Sequence, residues 1–137
     1  MRAGTQSLQR SLLAACAGLV GYGGWALFVN YPAGTEMALR AAAVQGFYSF
    51  VLTLSMTLVI EQLFHGLAQK GLAQKHAAWL TVILASIATW SVAFGIHALN
   101  GTPKIVATIL PGFIIGIIYT SVYVVALKTA QRKVQIA

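Results

Sequence analysis

The sequence predicts an all-α membrane protein, one compact bundle of four transmembrane helices over residues 1–137 with both termini cytoplasmic. Three observations carry that expectation. The 137 residues are 58% apolar and only 8% charged, with mean hydropathy +0.79, whereas a soluble domain is roughly a quarter charged. Four apolar segments, about 11–30, 41–64, 77–100 and 106–129, each meet the roughly 20-residue need of a hydrocarbon core about 30 Å thick. The cations also divide unequally between the two ends of those segments. Arg2, Arg10, Lys70, Lys75, Lys128, Arg132 and Lys133 fall on one side, Arg40 and Lys104 on the other. Seven against two places the richer side in the cytoplasm, and a bacterial inner (plasma) membrane is the expected location.

The first segment begins after Arg10. Leu13-Ala14-Ala15-Cys16 has the look of a lipoprotein processing box, but only five residues separate Arg10 from Cys16 and the apolar run continues to Val29. A cleaved leader has about 7–15 apolar residues before its cut, so residues 11–30 are expected to remain as a helix. Val20-Gly21-Tyr22-Gly23 lies inside this segment without a preceding pore helix, which excludes a potassium-filter role.

The second segment is the most informative. Gln45, Ser49, Thr53, Thr57 and Glu61 recur every four residues, and residues four apart on a helix are stacked neighbours. The five form one polar ridge, which a lipid-facing surface would not collect, so it is expected to face other helices or a cavity. Glu61 lies 21 residues after Arg40, about 31 Å along the axis. That puts the carboxylate at an interface, where Lys70 or Lys75 would pair with it, and leaves Gln45 as the strongest polar group within the hydrocarbon. Ala42 and Gly46 add a small-residue packing pair.

The 65–76 connection holds a tandem repeat, Gly66-Leu67-Ala68-Gln69-Lys70 and Gly71-Leu72-Ala73-Gln74-Lys75, a duplication of the kind surface loops accept. His65 and His76 lack the spacing of a metal pair, so no metal and no cofactor is expected. The third segment contributes His97 near its end. The fourth carries Thr108, Gly112, Gly116 and Thr120 as a second four-spaced ridge. Its GxxxG pair, Gly112 and Gly116, suits close helix packing or a homodimer contact. Pro111 is the expected hinge, because it leaves the Ala107 carbonyl without its usual donor. Tyr119 and Tyr123 stand one turn apart, their hydroxyls expected to be satisfied by the second helix. A shift of 66 residues aligns Phe28 with Phe94, Ala41 with Ala107, Gly46-Phe47 with Gly112-Phe113 and Ser55 with Ser121. It suggests two parallel-repeated helical hairpins, with the second and fourth helices facing each other.

Composition excludes much chemistry. The chain has no aspartate and a single cysteine, so a Ser-His-Asp set and a thiolate cluster are both out of reach. The net charge of +7 sits at helix ends, where it meets anionic headgroups. No basic patch interleaved with aromatics supports nucleic-acid binding. No catalytic residue is assigned. The expected function is that of a non-enzymatic carrier or lipid-handling protein for an anionic or lipid-linked substrate, partnered by membrane lipids. Its site would lie between the second and fourth helices, lined by Gln45, Ser49, Thr53, Tyr119 and Thr120. Arg40, His97 and Lys104, with Asn30 and Asn100 nearby, would form an anion-holding cluster at the outer end. The alternative is an accessory or scaffold subunit of a larger membrane complex.

Overall fold

The computed structural model describes the backbone of residues 2–136 and the side chains of residues 9–130. The side chains of Arg2, Arg132 and Lys133 therefore lie outside the described residues. The described chain is helical throughout: α1 (Arg2–Asn30), a short 3₁₀ turn (Tyr31–Ala33), α2 (Thr35–Gln69), α3 (Gln74–Leu99) and α4 (Ile105–Ile136). Four helical stretches are long and apolar enough to cross a membrane: Gln9–Ala33, Thr35–Gln69, Gln74–Leu99 and Ile105–Ala130.

The connections are tighter than the hydropathy boundaries suggest. The expected 31–40 loop shrinks to the 3₁₀ turn and Gly34, whose φ of 109° lies where L side chains rarely go, so Arg40 stands inside α2. The tandem repeat splits in two. Its first copy ends α2, and its second forms the turn and starts α3. Gly71, at φ 83°, donates to the Ala68 carbonyl, while Leu72 reaches back to Leu67. This is the paired arrangement that satisfies orphan carbonyls at a helix end. Identical pentapeptides adopt different conformations because one glycine falls inside the helix and the other just past its end.

The helix ends define two poles. One, the Arg10 pole, carries Arg10, the Lys70–Ala73 turn and Lys128. The other, the His97 pole, carries the turns at Tyr31–Gly34 and Asn100–Lys104. Toward the Arg10 pole the core is apolar: Met56, Ile60 and Phe64 of α2 pack with Ala77 and Ala85 of α3 and Val124 of α4. Tyr123 closes this region by donating its hydroxyl to Glu61 Oε1 at 2.5 Å. The interfacial Lys70 and Lys75 expected to pair with Glu61 are thus replaced by a phenol from the facing helix. Toward the His97 pole the buried groups are polar, and they form the candidate site.

α1 and α2 make the most extensive helix contact. It is close because of Gly23 and Gly46, whose Cα atoms nearly touch. A Cβ on Gly46 would stand 2.9 Å from the Leu19 carbonyl oxygen, and one on Gly23 would stand 3.1 Å from that of Ala42. α3 joins α2 and α4, whereas α4 meets α1 and α2 far more sparingly. That sparing contact leaves room between them.

Candidate functional site

The site is assembled by a helix cap. α3 ends at Leu99 with Asn100 as its C-cap, and Gly101, at φ 66°, turns the chain back so that Gly101 donates to the Ala98 carbonyl and Thr102 donates to the His97 carbonyl. The reversal sets the Thr102 hydroxyl 2.8 Å from His97 Nδ1. On its other side His97 Nε2 lies 2.7 Å from Gln45 Oε1 on α2. A carbonyl oxygen only accepts, so Nε2 carries the hydrogen, and in the neutral ring Nδ1 accepts from Thr102. Gln45 then offers its amide nitrogen to Ser49 Oγ at 3.4 Å. Thr102, His97, Gln45 and Ser49 are all buried, so the chain of bonds is the compensation their burial demands.

A second clasp holds α1 to α4 at the same pole. Asn30, fully buried, donates to Thr108 Oγ1 at 2.8 Å and to the Ala26 carbonyl at 2.9 Å. Its Oδ1 accepts the Lys104 backbone N–H at 3.0 Å, capping the start of α4 from another helix. One and a half turns away on α1, the Trp25 indole donates to the Ala107 carbonyl at 2.9 Å. That is the carbonyl Pro111 leaves without a donor. The proline therefore opens α4, and α1 closes the gap.

Below these clasps lies a cavity of about 820 Å³ between α1, α2 and α4. From α2 it takes Gln45, Ser49, Thr53 and Thr57, four of the five ridge residues. From α4 it takes Pro111, Gly112, Gly116 and Tyr119, and α3 adds Trp90, which meets Phe113 edge-on at 4.7 Å between centroids. The wall sequence reasoning missed is α1: Arg10, Ala14, Gly18, Tyr22 and Trp25 run down one side. The signal for it was present in the small residues of that segment, which leave space as readily as they bring helices together.

No protein family, curated protein or solved structure matches this chain. The site must be read from its own chemistry.

The structure separates the sequence-predicted residues into three groups. Gln45, Ser49, Thr53 and Tyr119 line the cavity, with Pro111, Gly112 and Gly116. Thr120 is buried but bonds the Gly116 carbonyl of its own helix at 2.8 Å, and does not line the cavity. The outer anion-holding cluster does not assemble. His97 stands behind Gln45 with both ring nitrogens engaged, while Arg40 and Lys104 are exposed and outside the lining. Arg10, at the opposite pole, is the one charged residue among the described residues of the lining. The small-residue pairs also divide. Ala42 and Gly46 make the close α1–α2 contact, whereas Gly116 faces open space and a Cβ on Gly112 would stand 3.6 Å from the Tyr22 ring and 3.7 Å from the Gln45 amide nitrogen. Among the described residues no group of His, Cys, Asp and Glu could hold a metal ion.

Proposed function

We propose that this chain is a non-enzymatic membrane carrier that moves an anionic lipid or lipid-linked substrate along the cavity between α1, α2 and α4. In this reading the four helices form a bundle inserted in a bacterial inner membrane, and the Arg10 pole, rich in Lys and Arg, is cytoplasmic. The observation that carries the proposal is the cavity itself. It runs along α1 from Arg10 to Trp25 and takes in Gln45 of α2, so a charged group at one pole and a buried amide toward the other line the same cavity. Gln45 donates to Ser49 only at 3.4 Å, and its second amide hydrogen has no acceptor among the described residues. It can therefore receive a polar group in transit.

The test is transbilayer movement of a fluorescent anionic phospholipid in vesicles reconstituted with the full chain. Wild-type protein accelerates movement over protein-free vesicles, and Gln45→Leu returns it to the protein-free rate. Thr102→Val breaks the same bonded chain on the far side of His97 without altering the cavity wall, and retains transport. Wild-type vesicles no faster than protein-free ones, or Gln45→Leu as fast as wild type, would refute the carrier.

One observation favours the accessory-subunit alternative. Beside Gly116 a Cβ would meet nothing within 4 Å among the described residues, as expected of a surface kept for another chain, whether a second copy or an unrelated subunit. Recovery in mild detergent as a sole monomeric species counts against it.

A further inference from the structure

The cavity has the shape and wall chemistry of a lipid-chain slot. Arg10 and Trp25 both line it, and the fifteen residue steps of α1 from one to the other set its length at about 22 Å. A volume of about 820 Å³ drawn out over that length is a narrow slot, not a round chamber for a compact solute. α1 and α4 are clasped at the His97 pole by Asn30, Thr108, Trp25 and the Ala107 carbonyl. Toward the Arg10 pole they part. A Cβ on Gly116 would meet nothing within 4 Å, and Ala14, Ala17, Ile115 and Tyr119 line the cavity while exposed. The slot is thus closed at one pole and open sideways near the other, at hydrocarbon depth.

The polar groups along its middle do not oppose an apolar occupant. Thr53 Oγ1 donates to the Ser49 carbonyl at 2.7 Å, so this hydroxyl is satisfied within its own helix and an alkyl chain beside it strands no donor. Ser49 Oγ already serves Gln45. The single charge of the lining, Arg10, immediately precedes the apolar segment that begins at Ser11, the level expected of lipid headgroups.

Resting on the carrier reading and naming its substrate class, we infer that the slot takes one acyl chain of an anionic phospholipid. The chain enters between α1 and α4 from the leaflet at the Arg10 pole, with the headgroup phosphate on the Arg10 guanidinium. The pairing suits a guanidinium's planar fork of donors.

Tryptophan quenching by mid-chain brominated lipids tests this, because Trp25 and Trp90 line the slot and Trp79 does not. The full-length chain carrying Trp79→Phe is reconstituted in zwitterionic lipid doped with a small fraction of brominated phosphatidylglycerol or brominated phosphatidylcholine. The anionic lipid is expected to quench saturably and at about fivefold lower mole fraction, the advantage of one basic residue at a headgroup. Arg10→Gln removes that advantage. Gly116→Leu, which fills open space, removes the saturable quenching while leaving helicity and monodispersity unchanged. Equal quenching by the two lipids overturns the inference. So does an anionic preference that survives both Arg10→Gln and Gly116→Leu, because it then arises from the lipid annulus. A dimer that Gly116→Leu dissociates also overturns it, since a second copy would then cover the slot. Binding involves no transport step, so the two readings fail separately. Saturable quenching without transbilayer movement sinks the carrier alone, and movement without quenching sinks the slot alone.

Discussion

α1 packs against two neighbours in opposite ways. Against α2 it makes a backbone contact, with Gly23 and Gly46 so close that an added Cβ at Gly46 would lie 2.9 Å from a carbonyl oxygen. Against α4 it makes side-chain clasps at one pole, Asn30 to Thr108 and Trp25 to Ala107, and then diverges. The first contact leaves no space along its glycine stripe. The second holds the ends together and leaves the cavity between. Glycine alone does not decide which outcome follows. Gly46 and Gly112 correspond under the 66-residue shift, yet one is crossed by a neighbouring backbone and the other faces a ring and an amide. What distinguishes them is the residue opposite: Gly23 permits approach, and the Tyr22 ring holds the fourth helix off.

The largest expected effect breaks that contrast at its tight side. Gly46→Leu drives a side chain into the Leu19 backbone, which cannot yield as a flexible side chain would, and α1 must move away from α2. Overpacking costs about 1–3 kcal/mol where neighbours can adjust, and the upper end or more is expected here, measured as lost resistance to denaturing detergent. Gly116→Ala is the matched control. It meets open space and removes a helix-interior glycine, so stability rises by up to about 1 kcal/mol. Equal losses at both positions would show that the glycine contact is not what joins α1 to α2.

Next in size is the buried chain at the His97 pole. His97→Leu leaves the Gln45 carbonyl and the Thr102 hydroxyl without partners, and a stranded buried polar group costs about 1–3 kcal/mol. His97→Gln, which can present a donor to Gln45, is expected to recover part of the loss. If the two substitutions destabilise α3 equally, the ring matters through packing and not through its bonds.

The four helices were legible because each is an apolar run of spanning length between short polar connections, and the Gln45–Thr57 stripe was legible because residues four apart share a helix face. The stripe's surroundings were not. α1 carries its contribution to the cavity as glycines and alanines, whose meaning depends on what lies opposite. Arg10 reads as a topology marker until a cavity is found to end at it. Within the supposed outer cluster of Asn30, Arg40, Gln45, His97, Asn100 and Lys104, His97 meets Gln45 and Asn30 meets the Lys104 backbone, but the Arg40 and Lys104 side chains share only the depth and stay exposed outside the cavity. Depth follows from counting residues along an axis. Azimuth between helices follows from packing, which sequence spacing does not report. Helix ends were misjudged for a related reason. Arg40 and Gly66–Gln69 are polar or small enough to look like loop, yet the backbone bonds of α2 continue through them.

The smallest effect is also the most discriminating, because it separates the α1–α4 clasp from mere proximity. Pro111 has no N–H, so the Ala107 carbonyl within α4 loses its intrahelical donor, and the Trp25 indole supplies one at 2.9 Å. Trp25→Phe keeps an aromatic ring beside Phe28 but removes the N–H, so the carbonyl is left unpaired at a cost of about 1 kcal/mol. Pro111→Ala restores the helix's own donor to that carbonyl. In the Pro111→Ala background, then, Trp25→Phe should cost only a few tenths of a kcal/mol, since residues sharing one bonded group are not additive. Packing changes of the indole are common to both backgrounds and cancel in the cycle. A Trp25→Phe penalty of the same size with and without the proline would mean that α1 holds α4 through the ring's apolar surface, and that the kinked carbonyl draws its partner from elsewhere.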